Sequence, residues 1–296
     1  AVNHANQNGT TALMLASRKG HAACVSALLA GGAAVNHADQ DGTTALMLAS
    51  RGGHTACVSA LLEGGAAVNH ADQDGYTALM LASSYGDAAC VSALLQRGAV
   101  VTHISKDGST ALMLASQKGH AACVLALLEG GAGIDLVGDD GTTALMDASQ
   151  HGHVECALAL LEAGAAINHA DKHGSTALML ASTRGHAACV SALLEAGAAI
   201  DQTDTTGTTA LMLATREGHV VCMSALLERV AAVNHANQNG ITALMLAGLE
   251  GHAACVSALL ERGAAVDQAK QDGSTALMIA SATGHAPCVS ALLERG

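Results

Sequence analysis

The chain has 296 residues, half of them hydrophobic, and a formal net charge of −12 at pH 7. This charge argues against a nucleic-acid partner, because no basic stripe is available to neutralise phosphates. No apolar run reaches the roughly 18 residues of a membrane span, so direct membrane insertion is not expected. The start at Ala1 is neither a signal peptide nor an initiator methionine, and we expect an excerpt of a longer protein or a processed product.

A repeat of 33 residues organises the whole sequence. It is marked by a turn glycine that recurs at Gly9, Gly42, Gly75, Gly108, Gly141, Gly174, Gly207, Gly240 and Gly273. Each glycine is followed by Thr-Ala-Leu-Met and, further on, by a cysteine. Such periodicity predicts a solenoid. We expect one domain over 1–296, with repeats at about 1–33, 34–66, 67–99, 100–132, 133–165, 166–198, 199–231, 232–264 and 265–296.

Residues 34–66 show the predicted elements of one repeat in chain order. Asp39–Gly42 forms a turn in which the glycine takes a positive φ. Thr43 and Thr44 offer an N-cap to a short helix over 45–50, which Gly52-Gly53 ends. A second helix over 56–62 carries one broad apolar face, and an extended arm over 66–70 leads to the next turn. Helices this short are unstable alone, so each repeat must pack on its neighbours.

These features together resemble the ankyrin repeat over the whole chain. The motifs are Gly-x-Thr-x-Leu, a short helix ending in Gly-His, a helix ending in Leu-Leu, and Gly-Ala-x-Val-Asn. The resemblance implies an all-α ankyrin-repeat solenoid of helix-turn-helix units with extended hairpin loops. In every copy the family's Thr-Pro-Leu-His is Thr-Ala-Leu-Met, so Met14 and its equivalents replace a histidine that bridges turns, and we expect reduced local rigidity. Neither end carries a polar capping repeat, which predicts a continuing array or a partner at each end.

Cysteine recurs in every repeat and histidine precedes it in eight of the nine, a pairing that raises the question of metal binding and nucleophilic catalysis. His-x-x-Cys recurs eight times, with Asp87 in the remaining copy, but two ligands per repeat fall short of the three or four that zinc needs. No carboxylate is placed to orient a catalytic Cys–His pair, and the Asp39–Gly42 turn lacks the acids of a calcium loop. We therefore predict no catalytic residue, no metal and no cofactor. The nine cysteines share one repeat position and cannot readily pair, which favours buried, reduced thiols in an intracellular compartment, the cytoplasm above an organelle interior.

Histidines also recur on the arm. The set comprises His4, His37, His70, His103, His169 and His235. Exposed, solvated side chains are favoured over a pH-sensing contact at these positions.

The resemblance to ankyrin repeats implies that partners contact the hairpin tips and the inner helices. There Tyr76 and Tyr85 are the only aromatic anchors of the chain. Asp147 replaces a leucine found in seven other copies, and Lys106 or Lys118 could supply a matching charge. The candidate partner-binding residues are Tyr76, Tyr85, Lys106, Lys118, Asp139, Asp140, Asp147, Gln150, His151 and, as a second apolar patch, Ile241 and Leu249.

The predicted function is a non-enzymatic protein-interaction module whose concave face, centred on repeats 3 to 5, binds a protein partner. The alternative is a structural scaffold subunit built permanently into a larger multiprotein assembly. An engineered array is a third interpretation, although irregular substitutions such as Val230 favour natural duplication with drift. Val230 stands where other copies have a helix-ending glycine, so we expect a rearranged and weak junction between repeats 7 and 8.

Overall fold

The computed structural model describes residues 2–294, which divide into two compact units. The first unit contains the residues up to Ala144 together with Glu162–Ala165. The second contains Leu145–Leu161 and the residues from Ala166 onward. Each unit is described by itself, and a single array over 1–296 stays a prediction.

Within residues 2–294 the regular structure consists of eighteen helices and isolated β-bridges, which confirms the predicted all-α repeat fold. The helices come in pairs, two for each 33-residue repeat. They are α1 (Ala12–Arg18), α2 (Ala22–Ala30), α3 (Ala45–Arg51), α4 (Thr55–Glu63), α5 (Ala78–Tyr85), α6 (Ala88–Gln96), α7 (Ala111–Lys118), α8 (Ala121–Glu129), α9 (Ala144–Gln150), α10 (Val154–Glu162), α11 (Ala177–Arg184), α12 (Ala187–Glu195), α13 (Ala210–Arg216), α14 (Val220–Glu228), α15 (Ala243–Glu250), α16 (Ala253–Glu261), α17 (Ala276–Ala282) and α18 (Ala286–Leu293).

The first helix of a repeat begins at a threonine cap, as predicted. In repeat 2, Thr44 has an extended backbone, and its hydroxyl accepts a hydrogen bond from the backbone N–H of Met47. This bond satisfies one of the free N–H groups of the first turn. Met47 itself is buried in the core. The methionine that stands in place of the family's histidine therefore packs in the core at this position.

The second helix of a repeat begins at a histidine whose side chain does not cap it, as at His54 before α4. Repeat 3 differs, because Asp87 replaces the histidine and its Oδ1 accepts from the backbone N–H of Cys90 at 2.7 Å. Asp87 Oδ1 also accepts a longer bond of 3.5 Å from the hydroxyl of Thr55 in repeat 2. The Asp87 side chain therefore caps the start of α6, whereas the His54 side chain leaves the start of α4 uncapped.

The arm between repeats contains a turn before it reaches the hairpin tip. In repeat 3 the N–H of His70 donates to the carbonyl oxygen of Ala67, and Ala71 then forms a single β-bridge with Thr77. Asp72 Oδ1 accepts from the backbone N–H groups of Asp74 and Tyr76 and so closes the tip. These local bonds fix the direction in which the tip residues project.

The core of each unit consists of small and aliphatic side chains between stacked helices. In the first unit α3 packs between α1 and α5, and α4 packs between α2 and α6. In the second unit α13 packs between α11 and α15, and α14 packs between α12 and α16. Leucine and methionine of the first helix and cysteine, valine and leucine of the second are almost fully buried, for example Leu46, Met47, Cys57, Val58 and Leu61. Met278, in the last repeat of this sequence, is instead 56% exposed.

The nine cysteines are free thiols, and eight of them are buried, as predicted. The prediction is wrong for Cys24, which is exposed. The reason lies in the packing of the cysteines against the preceding repeat, shown by the 3.5 Å contact between Cys90 Sγ and Thr55 Oγ1. Repeat 1 has no preceding repeat in this sequence to cover Cys24.

Val230 keeps the left-handed conformation of the glycines that it replaces, with φ at 66°. Its N–H donates to Leu227 O and that of Ala231 to Leu226 O, as Gly65 and Ala66 do in repeat 2. The predicted rearrangement of the repeat 7 to 8 junction is therefore wrong. The helix end forces the same geometry on valine, at a cost of about 1–2 kcal/mol, and the weakness of the junction stays a prediction.

Candidate protein-binding surface

Tyr76 lies at the hairpin tip of repeat 3 and is held by the next repeat. Its hydroxyl donates a 2.7 Å hydrogen bond to Asp107 Oδ2, and the ring is partly buried. Partial burial, followed by the bond to Asp107, raises the pKa of Tyr76 to about 12. Asp107 also accepts from the hydroxyl of Ser105, and this bond is the main cause that lowers the Asp107 pKa. The phenol is therefore a hydrogen-bond donor held at the tip by Asp107.

Lys106 lies next to this tyrosine. Its backbone N–H donates to the carbonyl oxygen of Asp74, and its side chain is exposed. Asp74, Tyr76, Lys106 and Asp107 line a common surface depression on the first unit. The structure thus brings together two predicted residues, Tyr76 and Lys106, and adds two carboxylates that the sequence analysis did not select.

Tyr85 ends helix α5 and is paired with an arginine of the preceding repeat. Arg51 Nε donates to the Tyr85 hydroxyl at 3.1 Å, and the guanidinium carbon lies 5.4 Å from the ring centroid. The ring is nevertheless 53% exposed. An exposed aromatic ring supported by a stacked cation is a common anchor in protein interfaces.

Lys118 occupies the equivalent end of α7 and is exposed. It is one repeat further along than Tyr85, so the two residues share one edge of the first unit. Tyr76 and Lys106, by contrast, lie at hairpin tips. The predicted residues of repeats 3 and 4 therefore fall into two groups at the two ends of the inner helices.

The hairpin of repeat 5 keeps the backbone bonds of its equivalents, from Gly138 N–H to Thr142 O and from Gly141 N–H to Gly138 O. Gly138 replaces the aspartate or asparagine that closes most other tips, and the described residues show no β-bridge at Val137, which is exposed. Asp139 and Asp140 are both exposed at this tip. An added Cβ at Gly108 would clash with the backbone nitrogen of Asp139, so the tip of repeat 5 packs directly on that of repeat 4.

Asp147 belongs to the second unit and is partly buried in helix α9. Burial raises its pKa to about 7, far above the ordinary value of 3.8. The removal of water from the carboxylate is the physical cause. Lys106 and Lys118 belong to the first unit, and their pairing with Asp147 stays a prediction.

The remaining predicted residues lie in the second unit. Gln150 is partly buried, and its backbone carbonyl accepts a hydrogen bond from His186 Nε2. His151 is exposed and donates a hydrogen bond from Nδ1 to Asp147 O. Its ring stacks on that of His153 with 6.2 Å between the ring centroids. Ile241 is partly buried, and Leu249 is exposed at the end of α15. Ile241 occupies the repeat position of Tyr76, and Leu249 occupies that of Ser84, the residue before Tyr85.

Histidines connect successive repeats, and the expectation of exposed, solvated side chains is wrong for four of the six arm positions, His37, His70, His103 and His235. On the arms, Nε2 of His37, His70 and His103 donates to the turn-glycine carbonyl of the preceding repeat at 2.8–2.9 Å. His235 does the same in the second unit. The reason is that the turn glycine exposes an unpaired carbonyl within reach of the next arm. These bonds bridge adjacent turns although the motif histidine has become methionine.

The described residues offer little for catalysis or metal binding. No group of three or more His, Cys, Asp or Glu side chains in this part of the chain could hold a metal ion. Burial raises the pKa of Cys90 to about 12 and those of Cys156 and Cys189 to about 11. These thiols stay protonated near neutral pH and are poor nucleophiles. None of the helices described is both long enough and apolar enough to span a bilayer.

Comparison with known proteins identifies the repeat. The family model "Ankyrin repeats (3 copies)" matches residues 1–72, 24–105, 79–171, 163–237 and 226–296. The crystal structure of the human ASB11 ankyrin repeat domain is 32% identical, with a TM-score of 0.69, and the match covers 74% of this chain and 98% of that one. The search of curated proteins returned no significant match.

Proposed function

Because this chain belongs to the ankyrin-repeat family, whose members generally bind other proteins, we propose that it is a non-enzymatic module that binds a protein partner. The binding surface consists of the hairpin tips and inner-helix ends of repeats 3 and 4. One observation carries this assignment. Both tyrosines of the chain lie on this surface and are held by bonds to an adjacent repeat, Tyr76 to Asp107 and Tyr85 to Arg51.

Prior fixation of these rings favours binding, because less side-chain entropy is lost when a partner packs on them. Lys106 at the tip of repeat 4 and Lys118 at the end of α7 add exposed cations to this surface. Asp139 and Asp140 add exposed carboxylates at the tip of repeat 5. A surface with aromatic anchors and a polar rim matches the composition of protein interfaces. Nine cysteines that form no disulfide are consistent with a reducing, intracellular location, which we include in the proposal.

A scaffold subunit is the second candidate, and one observation favours it. Leu125 replaces the serine found at the equivalent position of other repeats and is 51% exposed on α8. Leu158 on α10 is a second such replacement. Exposed leucine on second helices, away from the inner surface, suits a flank that is covered in a larger assembly.

Affinity capture with the immobilised full chain separates these two functions. We compare the wild type with Tyr76→Ala/Tyr85→Ala and with Leu125→Ser, and quantify the captured proteins by mass spectrometry. Loss of a partner with the double tyrosine variant alone supports the inner-surface module. Loss with Leu125→Ser alone supports the scaffold subunit, and a partner captured equally by all three contradicts both assignments. Unchanged far-UV circular dichroism confirms that the variants fold.

A further inference from the structure

A row of cations lines one edge of the first unit, where the first helices of repeats 1 to 4 end. The helix-end row consists of Arg18, Lys19, Arg51, Tyr85 and Lys118. All five side chains are exposed. Among the residues that the structure describes, none of the four cations forms an ion pair with a carboxylate. The row is therefore a positive strip on a chain whose net charge is −12.

The members of the row are held in register from repeat to repeat. His54 Nε2 donates to Arg18 O, and His120 Nε2 donates to Ser84 O, each at 3.1 Å. Arg51 stacks over the Tyr85 ring. The carbonyl ends of α1 and α5 are thus tied to the following repeats, and the cations project from fixed helix ends.

Among the described residues, the equivalent edge of the second unit keeps one cation outside an ion pair, Arg184 at the end of α11. Arg216 is followed by Glu217, and the two form an ion pair at 2.9 Å. Leu249 is followed by Glu250. The unneutralised positive strip is therefore a property of repeats 1 to 4 and does not follow from the repeat sequence itself.

We propose that the helix-end row binds an extended, acidic segment of the protein partner, an inference that rests on the proposed function. Packed helices lie about 8–10 Å apart, so four helix ends span about 24–30 Å. An extended chain in the polyproline II conformation advances about 3.1 Å per residue with three residues per turn, and about eight to ten residues cover that length. Every third residue then lies on the same side of the segment. Carboxylates at that spacing would face the helix ends of repeats 1, 2 and 4, with an apolar side chain on Tyr85 of repeat 3.

The surroundings of the row favour a protein carboxylate over a nucleic acid. The hairpin tips of the same unit carry exposed carboxylates at Asp41, Asp74, Asp107 and Asp140. A polyphosphate with a charge on every residue would be repelled by these tips and by the net charge of the chain. A short segment with spaced acids avoids this repulsion because it contacts only the row.

The experiment uses the full chain and a labelled ten-residue peptide with Glu at positions 1, 4 and 10, Leu at position 7 and Ser elsewhere. Its counterpart has Gln in place of Glu, and binding is measured by fluorescence anisotropy at low salt. The test variant is Arg18→Gln/Arg51→Gln/Lys118→Gln. The control variant, Lys172→Gln/Arg184→Gln/Arg229→Gln, removes the same charge from exposed positions of the second unit.

We expect the Glu peptide to bind the wild type at least about tenfold more tightly than the Gln peptide. The test variant should lose about tenfold in affinity, and the control variant should stay within about twofold of the wild type. Equal binding of both peptides, equal losses in both variants, or tighter binding of a single-stranded DNA decamer would overturn the proposal.

Affinity capture then separates failure of this proposal from failure of the proposed function. If capture depends on Tyr76 and Tyr85 but the row variant retains the partner, the acidic segment is wrong and the protein-binding surface stands. If neither variant alters capture, both are wrong.

Discussion

Asp147 offers a pH-dependent test of burial in the second unit. Seven of the other repeats have leucine at its position, and burial raises the pKa of this carboxyl to about 7 from the ordinary 3.8. The folded state therefore holds a proton between about pH 4 and pH 7 that the unfolded state releases. Stability contributed by this group must fall as the pH rises through that window, and the full cost remains above pH 7.

The size of the effect follows from the shift. About three pKa units at about 1.4 kcal/mol each correspond to roughly 4 kcal/mol of destabilisation above pH 7. Asp147→Leu and Asp147→Asn both remove the titration, and the Asn variant keeps the size of the side chain. The free energy of unfolding is measured by urea denaturation, followed by far-UV circular dichroism, at half-unit steps from pH 4 to pH 8.

We expect the wild type to lose roughly 3–4 kcal/mol relative to Asp147→Asn across this range. The difference between the two proteins isolates Asp147, because all other titrating groups are common to both. A difference that stays constant within about 0.5 kcal/mol from pH 4 to pH 8 would refute the argument, since the carboxyl would then be ionised and solvated in the folded state.

Three further predictions concern single positions. Val230→Gly should raise the free energy of unfolding by about 1 kcal/mol, because the Val230 side chain is 84% exposed and its removal relieves backbone strain without loss of packing. Gly65→Val should lower the free energy of unfolding by about 1–2 kcal/mol. Urea denaturation measures both changes, and equal effects of the two variants would contradict the argument. The buried hydroxyl of Ser50 has no hydrogen-bond partner among the described residues, whereas that of Ser83 donates to Leu79 O. Ser50→Ala should therefore be neutral or stabilising, and Ser83→Ala should be destabilising by about 1 kcal/mol. Thermal unfolding measures both variants, and the reverse order of stability would contradict the prediction. Asp87→Ala should lower stability by about 1 kcal/mol and speed hydrogen exchange of the Cys90 amide, and unchanged exchange would argue against the cap.

Much of the fold follows from a single repeat of the sequence. The threonine before Ala-Leu-Met identifies the start of the first helix, and Thr44 caps α3 as its hydroxyl and position require. The turn glycine predicts a left-handed residue, and Gly42 has φ at 83°. These features depend only on residues close in sequence, so one repeat is enough to predict them in all the similar copies.

Contacts between repeats were harder to predict. Arg51 and Tyr85 are 34 residues apart, and Tyr76 and Asp107 are 31 apart, so neither pair is visible within one repeat. The arm histidines were expected in solvent because their acceptor, the turn-glycine carbonyl, belongs to the backbone of the preceding repeat. A backbone acceptor leaves no signal in residue identity.

Val230 shows a different limit. The sequence indicates that valine is unfavourable in the left-handed conformation at position 230. Whether the chain keeps that conformation depends on its energy relative to other conformations of the turn, which the sequence does not give. The bonds from Val230 and Ala231 back to α14 outweigh a strain of about 1–2 kcal/mol, so the turn is kept.

Hydrogen–deuterium exchange of the full chain, alone and with its captured partner, tests the central claim most directly. The inner-surface module predicts slower exchange in the complex at the repeat 3 and 4 tips, residues 72–76 and 105–109, and at the ends of α5 and α7. Slower exchange confined to the second helices, such as α8 around Leu125, with unchanged tips would contradict it and support the scaffold subunit.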